Sequence, residues 1–542
     1  MDFPSHILLT LSSLFAQFEA YMKKQYARIR ALEDELTETR EELEAAQAEI
    51  RRLKKLPKKP DLKPSSLDKP KSASKPDKKN KRPGSAKKSK KQDLQIHEHR
   101  KVAAKGVPSD WVFKGYAPYV IQALIIRSNN IEYLREIWVS PDGQQRIVAA
   151  LPEYLSGKQF GVTLQAYILH QYNECCVSQP LIQSSLSDFG VLISMGSINN
   201  ILIENKTVFH EEKESLLRTA IDLKEELRTD DTSARHRFKN AFCNCINSDL
   251  FTYFTTTYSK SRINFLEILR QNSTAYIINE AALAYALQQE LPPKYYEVLQ
   301  NSYAEGKGLF ENETALKAYF AAHKWTAKYA LTTITQALLV GTLVEKGFDL
   351  KTLIHSDGAG QFKLFVHSLC WKHAERPLVK LRTYNKIQQQ QLDTKKEAFW
   401  KLYQALKKYK QQPHPTQTAI LEQQFEQLCA PLNNFNSLNQ VLEDLKKKKD
   451  ELLLVLKRPR ASLHNNDSER DIREYVKRRK ISAGTRSENG KKARDTFLSL
   501  KKTCRKLGVS FWEYLLDRLR QDNEIPPLSV VMANHNTKTA NR

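Results

Sequence analysis

Acidic residues are in short supply. The 61 Asp and Glu face 86 Lys and Arg, leaving a formal net charge of +25. Such an excess points to a polyanionic partner, because neutralised phosphates supply most sequence-independent nucleic-acid affinity. Long apolar runs are missing too. Nothing approaches the ~18 consecutive apolar residues of a membrane span, and the densest stretches, near 191–195 and 452–456, are far shorter. No membrane partner is expected. The opening MDFPSHILLTLSSLF has no basic residue ahead of its apolar ones, so no secretory leader is expected and cytoplasmic residence follows. The seven cysteines are an odd set without framework spacing, which excludes a disulfide-stapled scaffold and suits reduced thiols. With 542 residues, two to four domains of ~100–200 residues each are expected.

What is present changes character along the chain. A heptad runs over residues 1–55, with a positions Leu8, Phe15, Met22, Ile29, Leu36, Leu43 and Ile50, all apolar, and d positions Leu11, Phe18, Gln25, Leu32, Thr39, Ala46 and Leu53. This is the seam of a self-associating coiled coil and predicts a homo-oligomer, the alternative being an amphipathic helix packed on its own domain. Residues 51–91 hold 18 Lys or Arg, three Asp and six Pro, a net +15 in 41 residues with no aromatic side chain. A disordered basic linker is expected over 56–101, acting as a DNA-touching arm, a solubilising spacer, or both. Residues 102–152 are short aromatic and apolar runs with a Pro-Asp-Gly turn signal at 141–143, predicting a small β-rich module. Helical patterns follow at 162–173, 178–188 and 195–209, the last two joined through Gly190 with Ser194 as N-cap. That is the spacing of a helix-turn-helix, assigned to a domain over 153–215. From 226 to 260 near-alternating Thr, Phe, Tyr and Cys predict three strands. Cys243 and Cys245 there share one face and should be buried. An α/β sheet with helical insertions at about 272–345 and 378–457, followed by a disordered tail over 526–542, accommodates the rest of the chain.

Three acids lie where a strand ends or a helix begins: Asp230 in DDTSARH, Asp357 in TLIHSDG and Glu469 in HNNDSERDIREYVKRRK. Phosphoryl transfer with two divalent metals needs hard oxygen ligands from separate elements. Each acid also has a local reading. Asp357-Gly358 fits a hairpin turn, Asn466 with Glu469 fits a capping box, and Asp230 or Asp231 fits a turn cap. Beyond Glu469, Arg473, Lys477 and Lys480 fall near one helical face, either a phosphate-holding surface or a solvated charge run. Cys370 and His373 in CWKH are half of a zinc site or part of a buried motif beside Asp357.

The stretches TDDTSARH (229–236), SKSRINFLEIL (259–269), SDGAGQF (356–362), LCWKHAER (369–376) and 464–519 together resemble, in order, the DDE transposases of the insertion sequence 66 family. The resemblance covers about 101–519 and, more loosely, the coiled coil. It implies a ribonuclease-H-like catalytic domain over 216–525 whose carboxylates Asp230, Asp357 and Glu469 bind two Mg²⁺ ions, with Lys260, Arg262, Arg473, Lys477 and Lys480 on DNA. It implies transposon terminal repeats and target DNA as double-stranded partners, accessory proteins of the same element, and a bacterial, nucleoid-associated location when DNA-bound. The implied reaction is hydrolysis at the transposon ends followed by attack of the 3′-hydroxyl on target DNA. Of the neighbours Asp230 and Asp231, only one can face the metals from a strand, and Asp230 is the choice. Family members often carry a cysteine-rich zinc segment ahead of the helix-turn-helix, but residues 92–174 have no cysteine, so a zinc site there is excluded. Two rival functions remain: a catalytically inactive DNA-binding protein derived from a transposase, and a structural coiled-coil adaptor.

Overall fold

The computed structural model describes residues 95–540 except 153, 155, 156 and 225, together with Met22, Gln25 and Arg28, which are helical. The rest of the heptad over 1–55 and most of the basic linker over 56–101 lie outside the described residues. Two units divide the chain, residues 1–124 and 125–542. In the first, residues 95–124 carry no helix or strand and leave Trp111, Phe113 and Tyr116 exposed.

The second unit opens with the hairpin β1 (Ile137–Val139) and β2 (Arg146–Val148), closed by the turn in which Gly143 takes φ 70°. The small β-rich module expected over 102–152 is therefore reduced to two three-residue strands. A lone hairpin has no third strand or helix on which to bury a face, and Ile137, Trp138 and Ile147 are accordingly exposed.

Four helices follow: α1 (Val162–Asn173), α2 (Gln179–Asp188), α3 (Met195–Ile203) and α4 (Thr207–Asp222). Gly190 supplies the left-handed turn after α2 at φ 76°, and the Ser194 hydroxyl accepts the Ser197 N–H at 3.0 Å. Asn205, at φ 54°, ends the third helical segment before the expected residue 209. The boundary drawn at 215/216 falls inside α4. That helix buries Phe209, Leu216, Leu217 and Ala220 in a core running from Val162 to Met532, so these helices and the sheet do not form separate domains.

The five-stranded sheet has the order β5-β4-β3-β8-β9. Strands β3 (Leu227–His236), β4 (Lys239–Asn247) and β5 (Thr252–Thr257) are the three expected from the alternation, and they pair as an antiparallel meander; Cys243 and Cys245 are fully buried on β4. After α5 (Arg262–Arg270) come the small ladder β6 (Tyr276–Ile277) with β7 (Leu309–Phe310) and helices α6 (Glu280–Gln288), α7 (Pro293–Ala304), α8 (Glu313–Ala322) and α9 (Lys328–Glu345). These share the main core. Strands β8 (Leu353–Ser356) and β9 (Val366–Leu369) then add to the sheet parallel to β3.

The second insertion comprises α10 (Trp371–Lys380), α11 (Lys386–Gln411), α12 (Pro415–Cys429), α13 (Asn436–Lys446) and the single turns α14 (Lys449–Leu452) and α15 (Leu454–Lys457). It has its own core, in which Trp371 stacks near Phe399 at 4.9 Å between ring centres. The chain returns through α16 (Asn466–Ser482), α17 (Glu488–Leu507) and α18 (Phe511–Arg520).

Helix α17 closes the free edge of β5. The N–H groups of Thr252, Phe254 and Thr256 donate to Thr503 Oγ1 (3.1 Å), Ser499 Oγ (2.8 Å) and Asp495 Oδ2 (2.7 Å). The match is metric: two strand residues advance ~6.7 Å and four helix residues ~6 Å. An open edge that would template pairing with another chain is thereby satisfied.

The disordered tail expected over 526–542 is corrected by α19 (Leu528–Ala540). Leu528 and Met532, one helical turn apart, are fully buried, and the Leu528 N–H donates to Glu212 Oε1 at 2.8 Å. Among the described residues no helix is long and apolar enough to cross a membrane.

Candidate active site

Asp230 lies mid-way along β3, where the strand passes from fully buried to half-buried positions. Its Oδ1 accepts the Asp231 N–H at 2.8 Å. Burial first, then the negative charges of Asp357, Asp231 and Glu469, push its carboxyl up to about 7. Asp231 has a separate set of partners: Gln361 Nε2 donates to its Oδ2 at 2.6 Å, and Lys260 Nζ lies 3.8 Å from its Oδ1. Burial raises its carboxyl as well, with Lys260 opposing.

Asp357 follows β8 directly, and its Oδ1 accepts the Ala359 N–H at 3.0 Å. The hairpin reading of Asp357-Gly358 is excluded because β8 and β9 run parallel. Their link is residues 357–365, with a 3-10 turn at Gly360–Phe362. Gly358 is required twice over: its φ is 95°, and a Cβ there would lie 2.6 Å from Leu369 Cδ1.

Glu469 sits in the first turn of α16. The capping-box reading also fails. Asn465 is the N-cap and uses its side chain to donate to Thr229 O at 3.0 Å, while Asn466 Oδ1 accepts from Lys372 Nζ at 3.0 Å. Glu469 is left facing His373 Nε2 at 3.7 Å and Arg473 Nη2 at 3.7 Å.

The CWKH motif divides between the core and the site. Trp371 of that motif is buried and donates its indole N–H to Leu452 O at 3.0 Å, and the Cys370 thiol receives the Asn465 N–H at 3.2 Å. His373, one helical turn from Cys370, instead meets the carboxylates. Burial first and Arg376 second lower its pKa, while Asp357 and Glu469 oppose.

The five basic residues separate into two groups. Arg473, Lys477 and Lys480 are all exposed along one face of α16, and Lys260 is half exposed beside Asp231. Arg262 is committed internally, donating to Tyr285 Oη (3.3 Å), Gln289 Oε1 (3.2 Å) and the Gly360 carbonyl (3.0 Å). It braces the loop after Asp357 against α6.

Among the described residues no group of three or more His, Cys, Asp or Glu is gathered closely enough to hold a metal ion as it stands. The donor chemistry nevertheless suits a hard cation. Asp230 is buried among like charges, a condition that a divalent ion bound by oxygen ligands relieves.

Residues 310–493, which include Asp357 and Glu469, match the Transposase IS66 family. A relative in Sinorhizobium fredii (strain NBRC 101917 / NGR234), printed as "Uncharacterized protein y4jO", is 38% identical over 310 residues, 57% of this chain and 96% of that protein. The chain belongs to the IS66 transposase family. No solved structure matches it. The family match begins well after Asp230.

Proposed function

We propose that this IS66-family chain is a DDE transposase that binds transposon ends and catalyses metal-dependent DNA cleavage and strand transfer. The observation carrying the reading is the placement of three acids, Asp230 on β3, Asp357 at the end of the neighbouring parallel strand β8 and Glu469 in the first turn of α16, with burial and the charges of Asp357, Asp231 and Glu469 holding the Asp230 carboxyl up to about 7. Three acids from a strand, a strand end and a helix start thus share one electrostatic environment. The sheet, an antiparallel meander with two parallel strands added beside β3, supports a ribonuclease-H-like catalytic domain.

Asp230, Asp357 and Glu469 would hold the metal ions, two Mg²⁺ in this reading. Bound there, they would supply activation of a water or 3′-hydroxyl and stabilisation of the leaving oxygen. Arg473, Lys477 and Lys480 would take the phosphates of the scissile strand, with Lys260 flanking the site. Helices α2 and α3 would address the duplex as a helix-turn-helix, presenting Gly196 and Asn200 on the exposed side of α3. Pairing through the heptad would bring two active sites to two ends.

The test is Mg²⁺-dependent cleavage of labelled DNA carrying the element's terminal repeat, with any accessory proteins supplied. Wild type should cut, whereas Asp357→Ala and Glu469→Ala should bind the same DNA without cutting it. Wild type that binds the ends but never cuts, with Mg²⁺ or Mn²⁺, establishes instead the inactive DNA-binding alternative.

A further inference from the structure

Behind the three carboxylates lies a second layer with a regular offset. Arg228 is two residues before Asp230, His355 is two residues before Asp357, and Asp467 is two residues before Glu469. Arg228 pairs directly with His355 in the parallel register of β3 and β8. Residues two apart on a strand point to the same face, so Arg228 lies on the Asp230 side of β3. Its side chain is nearly fully buried. The guanidinium reaches Asp467 Oδ2 with Nη1 at 2.9 Å and Asp249 Oδ1 with Nη2 at 2.8 Å. One side chain therefore ties the strand of Asp230 to the first turn of the helix that carries Glu469.

Two neutral contacts join the same parts, Asn465 Nδ2 to Thr229 O at 3.0 Å and Asn247 Nδ2 to Ser468 Oγ at 3.1 Å. They hold the helix start against β3 and β4; further along, Asp471 Oδ2 accepts from Thr252 Oγ1 at 2.7 Å, Tyr475 Oη lies 3.1 Å from Thr256 Oγ1 and Ile472 is buried, so the body of α16 is fixed on the sheet and the charged pair acts on its first turn, where Glu469 sits. Among the described residues Glu469 has no ion pair with the sheet. Its charged neighbours are His373 and the exposed Arg473.

We propose that Arg228 is a positioning residue: by bridging Asp467 and Asp249 it fixes the first turn of α16 and hence the separation of Glu469 from Asp230 and Asp357. Lysine cannot substitute, because a point charge does not span two carboxylates as the planar fork of arginine does. The proposal rests on the DDE reading above.

The test uses the full-length protein with Asp467→Asn, Asp467→Glu and Arg228→Lys. Three quantities are measured: Mn²⁺ affinity by electron paramagnetic resonance, single-turnover cleavage at saturating end DNA, and the affinity for that DNA. Asp467→Asn alters a half-exposed group and leaves Arg228 paired with Asp249. It should lower Mn²⁺ affinity and the cleavage rate by up to about 100-fold, the scale that a misplacement of about 1 Å costs, without changing DNA affinity or the thermal midpoint. Arg228→Lys should do the same, and Asp467→Glu should recover part of the loss. The proposal is overturned if folded Asp467→Asn binds Mn²⁺ and cleaves as wild type does, a result that decides the matter even if Arg228→Lys does not fold. Wild type that neither binds Mn²⁺ nor cuts sinks the DDE reading itself and this proposal with it.

Discussion

Asp230 is a carboxyl whose surroundings disfavour its charge, and the consequence can be read in stability. An acid with a folded pKa of about 7 binds its proton more tightly in the folded than in the unfolded chain. The metal-free protein should therefore lose stability as pH rises from about 4 to about 7 and hold a constant deficit above that. Asp230→Asn removes the charge and keeps the shape. At pH 8 without metal it should be more stable than wild type by on the order of 1–3 kcal/mol, measured by urea unfolding, while end cleavage is abolished. Equal or lower stability of the variant would mean that the site tolerates the ionised carboxylate. Mg²⁺ should narrow the difference by stabilising wild type alone.

Helix α16 combines two tasks on two faces. Ile472, Tyr475 and Arg478 are buried, while Arg473, Lys477 and Lys480 are exposed. If the exposed face takes DNA phosphates, Lys477→Ala with Lys480→Ala should weaken binding about equally for all sequences. It should also reduce the slope of log affinity against log salt by roughly 1 per lysine, read by fluorescence anisotropy across a salt series. An unchanged slope would leave these lysines as solvated charges. The face was legible in the sequence because helical spacing alone creates it, and the three strands β3–β5 and the turn between α2 and α3 were legible for the same local reason. Less legible were features decided by partners remote in sequence. Arg262 reads as a basic residue beside the site until Gly360 and Gln289 are found to hold it. Residues 526–540 look like a polar tail until Glu212, more than 300 residues earlier, receives the Leu528 N–H. Asp357-Gly358 reads as a hairpin until the strand direction is known. Of the site, the three acids stood out at element ends. His373 stood out only as half of a zinc site or a buried motif, and Arg228 not at all, since each acquires its meaning only from what lies opposite.

Across the whole molecule the helices of 162–222 and the sheet share one apolar interior. Arg478 of α16, 1% exposed, stacks on Tyr172 of α1 at 3.3 Å, and Lys501 of α17 donates to the Asn173 carbonyl at 2.8 Å. A fragment of 216–542 would uncover Phe497 and Tyr514 where Phe209 now packs, at 5.1 and 6.0 Å between ring centres. That fragment should be insoluble or loosely packed, binding a hydrophobic dye and unfolding without a sharp transition, whereas 95–542 should unfold cooperatively. A cooperative 216–542 fragment would overturn the shared core of the 162–222 helices and the sheet.

The continuous core also bears on how such a protein diversifies. A recognition unit on a flexible tether can be traded between relatives by recombination, because each half carries its own interior. Here a crossover within α4 would join halves whose buried surfaces were fitted to other partners, and most such hybrids would be lost at folding. If the exposed side of α3 reads DNA ends as proposed, new preferences are then more accessible through single replacements there, so divergence within such a lineage would proceed by gradual drift of that surface and not by borrowing whole modules.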